Sequence, residues 1–546
     1  MASPNEAPNT SIRGHVARST FIVMAAFATA KGISLIQTWV IARTFGISPE
    51  YDAFVAANRL PEIIFNLIAG GAIAFAFIPV FTGLLARNET KQAWKTASHV
   101  ANTIFLLTLI ASSVAFLLSD WLVTNMIASG FSPEIQALTA GLMRVLLIGT
   151  MIFSISGIVM GILQSHNRFL LPALAPIMYD LGILFGVLFL IKPFGIYGLA
   201  IGAVLGAALH LLIQIPGLFI VRARWSAEFG WRDPHLRKVI VLMIPRMADL
   251  GLISLSAIIT TNILSRLGPG ATSAYDWGWR LMQIPETLIG TAMGTVIFPT
   301  LAAFSSLGNL DGKRSAFSGS VRFILIGTIP SAIFLIVAGR PLLSLLQGGA
   351  FDDMAVSLVY STLQFFAIGI IVHSVLEVVA RSFYADKDTL TPLWVALGGA
   401  IVNIGIALLF TGILTGTASP EQVGILALAN TLGVTFEVVV LSYLLRRRWS
   451  GLDESHIGKT ALKALIASLI MGAVIFALEG FWVTLGLTGR GTLWTIVELG
   501  ITLLVAGIIF LAAAWMLRIE EVKTFFLQAF RRIRPVQAES PAGTPA

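Results

Sequence analysis

Arg59 and Glu62 stand three residues apart in DAFVAANRLPEIIFNLIAGGAIAFAFIP at 52–79, a stretch that from Phe65 onward is apolar enough for lipid. An ionisable group inside such a segment costs ~2.5–3.5 kcal/mol on insertion scales, so it faces protein or water and marks candidate function. Similar residues recur in few places: Lys31 and Gln37 in the first apolar run, Arg246 and Asp249 in the seventh, Asp276 and Arg280 in the eighth. Arg59/Glu62 and Arg246/Asp249 each share one helix face at i, i+3. Each pair is therefore either an internal salt bridge or a pair of substrate contacts. Lys31 has no carboxylate within helical reach, which favours a functional role. Asp276, Trp277 and Trp279 bracket Arg280, and a guanidinium beside aromatic faces suits phosphate and sugar contacts. An interfacial aromatic belt explains the same tryptophans equally well. His373 and Glu377, four apart, read as a proton relay or a structural pair. Several cations lining one cavity predict an anionic cargo.

The elements that carry these residues are membrane spans. The chain has 546 residues, 56% of them hydrophobic and 12% charged, against roughly 25% charged in a soluble domain; its mean hydropathy is +0.86. Fourteen apolar segments are read, near 18–43, 54–86, 95–118, 137–164, 170–191, 195–221, 238–265, 273–305, 317–338, 354–384, 390–413, 422–445, 460–483 and 492–517. With no cysteine, disulfides, thiolate metal sites and thiol nucleophiles are excluded. The first apolar run lacks a small-residue cleavage pattern, so no removable signal peptide is expected. The net charge of +8 does not indicate nucleic acid, because the basic residues sit in short connections. Of the 36 Lys and Arg, 26 fall on one side of the alternating connections and five (Arg43, Lys192, Arg266, Arg340, Arg490) on the other. That asymmetry predicts both termini in the cytoplasm.

A duplication runs through the chain. AFVAANRL at 53–60 matches AYDWGWRL at 274–281, QSHNRFLLP at 164–172 matches YADKDTLTP at 384–392, and Pro79 matches Pro299 as a candidate hinge or kink. Gly198 and Gly206 match Gly424 and Gly433 more loosely. Six spans per copy is an even number, so both copies share one orientation, as parallel transporter repeats do. The expected fold is an all-α integral membrane protein of 14 transmembrane helices: two pseudo-symmetric six-helix lobes around a central cavity, plus two C-terminal helices. The expected divisions are a cytoplasmic tail (1–17), an N-lobe (18–221), a cytoplasmic linker (222–237), a C-lobe (238–446), a second linker (447–459), spans 13–14 (460–517), and a basic, then disordered cytoplasmic tail (518–546).

DAFVAANRLP with the later AFIPVF, NRFLLPALAP at 167–176, WRLMQIP…GTVIFPTLAAF at 279–304 and RSFYADKDTLTP at 381–392 together resemble the MurJ/MviN lipid II flippases of the multidrug/oligosaccharidyl-lipid/polysaccharide exporter superfamily. The resemblance covers about 18–517. It implies a protein of the bacterial inner membrane, a transporter and not an enzyme, that moves an undecaprenyl-pyrophosphate-linked peptidoglycan precursor from the inner to the outer leaflet by alternating access. It implies no cofactor, a membrane potential or coupling ion as the drive, contacts with membrane lipids and the cell-wall synthesis machinery, and a groove for the polyprenyl tail at spans 13–14. By position, Lys31 falls where the family has an arginine in span 1, Asp52 matches its acidic residue after span 1, and Arg280 matches its span 8 arginine. Gln37 and Thr38 stand where the family commonly has an Arg-Asp pair, and Phe65 where it often has an arginine, so the expected cavity is less basic. The competing readings are export of another lipid-linked glycan or a multidrug-type cargo, and an integral membrane glycosyl- or acyltransferase. The transferase needs clustered acids, histidines or a metal motif near one membrane face. Only ADKD at 385–388 is acid-rich, and it also fits a turn between helices.

Overall fold

A computed structural model describes residues 32–70, 76–486 and 491–522, with the side chains of 69, 70, 245, 246, 248, 249, 252 and 253 left aside. The described chain is helical, and its one β-feature is an isolated bridge between Gly348 and Phe351. Helices are what lipid demands, since each satisfies its backbone groups within the segment.

The longer helices are α1 (32–45), α2 (Pro49–Ile64), α3 (Ile78–Ala86), α4 (Thr90–Leu117), α5 (Pro133–Ser165), α6 (Leu170–Phe185), α7 (Tyr197–Leu212) and α8 (Pro234–Ser265). They continue as α9 (Ala271–Glu286), α10 (Ala292–Ser306), α11 (Leu310–Val337), α12 (Asp353–Ala385), α13 (Leu390–Phe410), α14 (Val423–Trp449), α15 (Glu454–Thr484) and α16 (Thr492–Met516). Among the described residues, 11 helical segments are long and apolar enough to cross a membrane. They coincide with eleven of the fourteen segments read from sequence. The other three, at 18–43, 54–86 and 238–265, run into residues or side chains outside the description.

Helix starts follow local chemistry. Ser48, Ser132 and Asp233 cap α2, α5 and α8 through side-chain oxygens, and each precedes a proline. The cap accepts an orphan N–H, and proline at the first turn has no N–H to lose. Helix irregularities also have a visible cause. A π-turn over Phe65–Gly70 follows Pro61, and another over Thr287–Thr291 follows Pro285. An internal proline removes one i→i−4 bond and crowds the preceding turn, which a π-turn accommodates. Pro299 lies within α10, which is α-helical throughout, and Pro79 sits in the first turn of α3, just after two residues of π backbone at Ala76 and Phe77.

Two compact units make up the chain, and they do not follow the sequence repeat. The first comprises residues 1–277, 346–362 and 400–429; the second comprises 278–345, 363–399 and 430–546. The divisions fall inside helices, α9 and α12 among them, so the boundaries do not coincide with helix ends.

Within the first unit, α6 and α7 cross at a glycine face formed by Gly182, Gly186, Gly198, Gly202 and Gly206. A Cβ on Gly202 would lie 2.8 Å from the Gly186 Cα, and one on Gly186 would lie 2.6 Å from the Gly202 Cα. In lipid such close backbone approach is a main source of helix association. Gly202→Leu is expected to force the helices apart at a cost of about 1–3 kcal/mol, read as a lowered melting temperature in detergent; an unchanged melt refutes this contact.

Within the second unit, a core of Phe317, Phe383, Trp449, Met471 and Phe510 joins α11, α12, α14, α15 and α16. One end is tied by Asp386. Its carboxylate accepts from Lys313 Nζ at 2.7 Å, Ser305 Oγ at 2.6 Å and Trp449 Nε1 at 3.1 Å. Burial pushes this carboxyl up, but the hydrogen bonds from Lys313, Ser305 and Trp449 outweigh it and hold it below the ordinary carboxylate range. A lowered folded-state value stabilises the fold above the unfolded value near pH 4 and ceases to as pH falls through the folded value. Asp386→Asn should therefore lower the melting temperature at neutral pH, with the gap from wild type closing in acid. A gap independent of pH contradicts this.

Candidate functional site

The charged residues named from sequence separate into distinct environments. Lys31 lies outside the described residues, and the side chains of Arg246 and Asp249 on α8 do too. Gln37 is half-buried on α1.

Asp52 is 1% exposed, and it ties α2 to the start of α9. Its carboxylate accepts from Gly270 N and Ser273 N, each at 2.6 Å, and from Ser273 Oγ. Asp52 thereby caps α9 from another helix, meeting orphan N–H groups with a negative charge. Asp52 and Ser273 are 221 residues apart, the offset of the repeat. Equivalent residues that touch lie beside the axis relating the two copies, so that axis passes between the heads of α2 and α9. The same joint includes Gly46, with φ +57, whose close approach to the Ala350 carbonyl leaves no room for a Cβ. Ala350 N donates to Arg43 O at 2.8 Å.

Trp277 belongs to this joint, which corrects its assignment as a substrate contact. It is 1% exposed. Its Nε1 donates to Gly46 O at 3.1 Å, and its ring stacks on Tyr51 at 5.3 Å between centroids. Trp279 packs edge-on against Phe366 and His373 in the second unit. The aromatic bracket drawn around Arg280 from sequence is thus used for packing. Arg280 itself is exposed. The reason is the 100° step of a helix, which turns Trp277 and Trp279 to opposite sides, so their rings do not bracket one guanidinium.

Arg59 meets two carboxylates: Asp276 Oδ1 at 3.6 Å and Glu62 Oε2 at 3.9 Å. Asp276 is the deeper partner, with its side chain 7% exposed against 50% for Glu62. Spacing had offered Glu62 alone; the nearer partner comes from the other repeat. Glu62 also lines a cavity of about 270 Å³ with Asn58, Phe65, Thr150, Phe153 and Tyr179 among its walls. This hollow lies between α2, α5, α6 and α7 of the first unit; its walls are mostly apolar, and Glu62 is the charged residue among them. Its floor meets Phe153, whose ring contacts Tyr179 and His210.

His373 and Glu377 do not pair. His373 Nε2 meets Asn430 Oδ1 at 3.1 Å, whereas Glu377 bonds Arg381 on the next turn. Sequence reasoning missed this pair, although the i, i+4 spacing was there to find. It also missed a buried trio in the first unit: Ser156 Oγ lies 2.7 Å from His210 Nδ1 and accepts from Gln214 Nε2 at 2.9 Å. Phe153 and His373 are repeat mates, as are His210 and Asn430, so each repeat joins its fourth and sixth spans through one histidine, His210 or His373. Among the described residues no group of acids and histidines is arranged to hold a metal ion.

The family model described as "Lipid II flippase MurJ" matches residues 41–527. A Burkholderia cenocepacia protein described as lipid II flippase MurJ is 29% identical over 411 residues, covering 73% of this chain and 79% of that one. A solved structure titled lipid II flippase MurJ, inward closed conformation, superposes with a TM-score of 0.73 at 21% identity, covering 94% of this chain and 100% of the other. A multidrug resistance MATE transporter in its inward-facing conformation gives 0.62 at 17% identity, covering 79% and 95%. At these identities the two structures speak for the fold, an all-helical membrane transporter architecture. The family match spans nearly the whole described chain and includes both repeats: the chain belongs to the MurJ lipid II flippase family.

Proposed function

We propose that this chain moves lipid II, a polyprenyl-pyrophosphate-linked peptidoglycan precursor, from the inner to the outer leaflet of the bacterial cytoplasmic membrane, with both termini on the cytoplasmic side. The observation that carries the reading is the family match over 41–527. It is a transporter and not a catalyst. Alternating access is the mechanism, driven by the membrane potential or a coupling ion, with no cofactor.

The bend sites fit such a cycle. Each repeat carries a π-turn in its second span, at Phe65–Gly70 and Thr287–Thr291, and irregular backbone of this kind is tolerated in lipid only where protein or a cavity covers it. Arg280 is assigned to the anionic head of the substrate. Arg59 is neutralised by Asp276 and Glu62 and serves the joint between repeats. For the polyprenyl tail, an apolar hollow of about 350 Å³ lies at the foot of α15, walled by Phe317, Val321, Leu325, Val375 and Ile457. Its walls come from α11, α12, α14 and α15, so it adjoins the first helix of the α15–α16 pair at which the family resemblance implies a tail groove. Exposed Leu503, Leu504 and Ile508 on α16 suit contact with membrane lipid. The cell-wall synthesis machinery is the natural consumer of the product.

Replacement of the resident flippase in a depletion strain tests the whole reading. Growth and normal shape are expected when this chain is the only copy. Lysis, with the protein present in the membrane fraction, would turn the assignment toward another lipid-linked glycan.

A further inference from the structure

The connection between α7 and α8 has two chemically different faces. Its inner face is fastened to α4. Asn102 Nδ2 donates to Ser226 O at 2.8 Å and to Glu228 O at 2.7 Å, and Ser226 N donates to Ser98 Oγ at 3.1 Å. His99 Nδ1 lies 2.9 Å from Asp233 Oδ2, and Gly230, with φ +57, passes so close to the His99 ring that a Cβ has no space. Both acids of the segment are engaged on this face. Asp233 is buried against His99 and His235, and Glu228 is 3.6 Å from both Lys95 and His99.

The outer face keeps the opposite charge. Arg222, Arg224, Arg232 and Arg237 are exposed, and none has a side-chain ion pair or hydrogen bond among the described residues. Interleaved with them are Trp225, Phe229 and Trp231, exposed by 71%, 37% and 57%. Phe229 and Trp231 stack at 6.0 Å with an interplanar angle of 5°. A topology signal needs only the positive charges. It needs neither a backbone pinned by three hydrogen bonds nor three large exposed aromatic rings, of which Trp225 is fixed by its Nε1 donating to Asn102 Oδ1 at 2.9 Å. Aromatic rings with an apolar body and a polar edge, set among guanidinium groups, match the headgroup zone of a bilayer. Arginine forks match phosphate oxygens.

We propose that residues 222–237 form a rigid docking surface for the anionic headgroups of the phospholipids around the protein. The arginines hold the phosphates, and Trp225, Phe229 and Trp231 enter the interface between them. The segment joins the two sequence repeats, so the lipid it holds sits at the connection between them. This assignment does not depend on the identity of the transported lipid.

The full chain in nanodiscs tests it. The difference in emission between wild type and Trp225→Phe/Trp231→Phe isolates the two tryptophans. Phosphatidylglycerol brominated high on its acyl chains is expected to quench that difference signal more than brominated phosphatidylcholine at equal mole fraction. A variant with Arg222, Arg224, Arg232 and Arg237 all changed to Gln should lose the preference, by about fivefold in local anionic-lipid enrichment per arginine. An unchanged melting temperature shows that this variant is folded. Equal quenching by the two lipids, a preference that survives the arginine changes, or quenching by neither lipid overturns the proposal; the last outcome points to water or a protein partner over this face.

Discussion

Arg280→Ala is expected to abolish support of growth in the depletion strain while the protein still reaches the membrane in normal amount. Arg280 and Arg59 are repeat mates, and their environments have diverged. Arg59 is held by Asp276 and Glu62, whereas Arg280 is exposed on α9, in a segment whose hydropathy marks it as a span. An arginine retained in a span carries an insertion cost of ~2.5–3.5 kcal/mol. A charge-assisted contact to a pyrophosphate recovers about 1.5–3 kcal/mol per hydrogen bond. Losing a bidentate contact therefore weakens substrate binding by roughly ten- to a hundredfold or more. Arg280→Lys should restore part of the function, since the point charge remains while the planar fork is lost. Plating efficiency, with immunoblotting of the membrane fraction, reads both variants. Full rescue by the alanine variant would remove Arg280 from the substrate path.

Asp52→Ala is expected to be the most destabilising single change at the joint between repeats. It deletes the acceptor for Gly270 N, Ser273 N and Ser273 Oγ at once and leaves two buried N–H groups without a partner. Loss of a helix cap alone costs about 0.5–2 kcal/mol; here two buried donors are left unsatisfied at about 1–3 kcal/mol each, so a total of about 2–6 kcal/mol is expected. Ser273→Ala removes one of the three bonds and should cost about 1 kcal/mol. The double variant should fall short of the sum, because both changes break the same contact. Scanning fluorimetry in detergent reads all three. Additive losses, or a wild-type melt for Asp52→Ala, would show that the cap does not hold α9. Asp52 thus acts as a structural tie between α2 and α9; it does not stand in the cavity.

The sequence by itself determined the elements. Hydrocarbon permits one local solution for a single segment, the helix, so hydropathy located eleven described spans within a few residues. Ser-Pro and Asp-Pro pairs stand at three helix starts, a local capping signal that the spans read from 54, 137 and 238 did not use. The 220-residue offset exposed the duplication. What only the tertiary structure decided was partnership. Arg59 met Asp276 in addition to Glu62, His373 met Asn430 in place of Glu377, and Trp277 turned into packing. Spacing along one helix ranks only neighbours within a turn, whereas these partners lie 57–231 residues away. The physical reason is that lipid makes secondary structure a local matter, while the pairing of charges depends on which helix faces meet once the spans are packed.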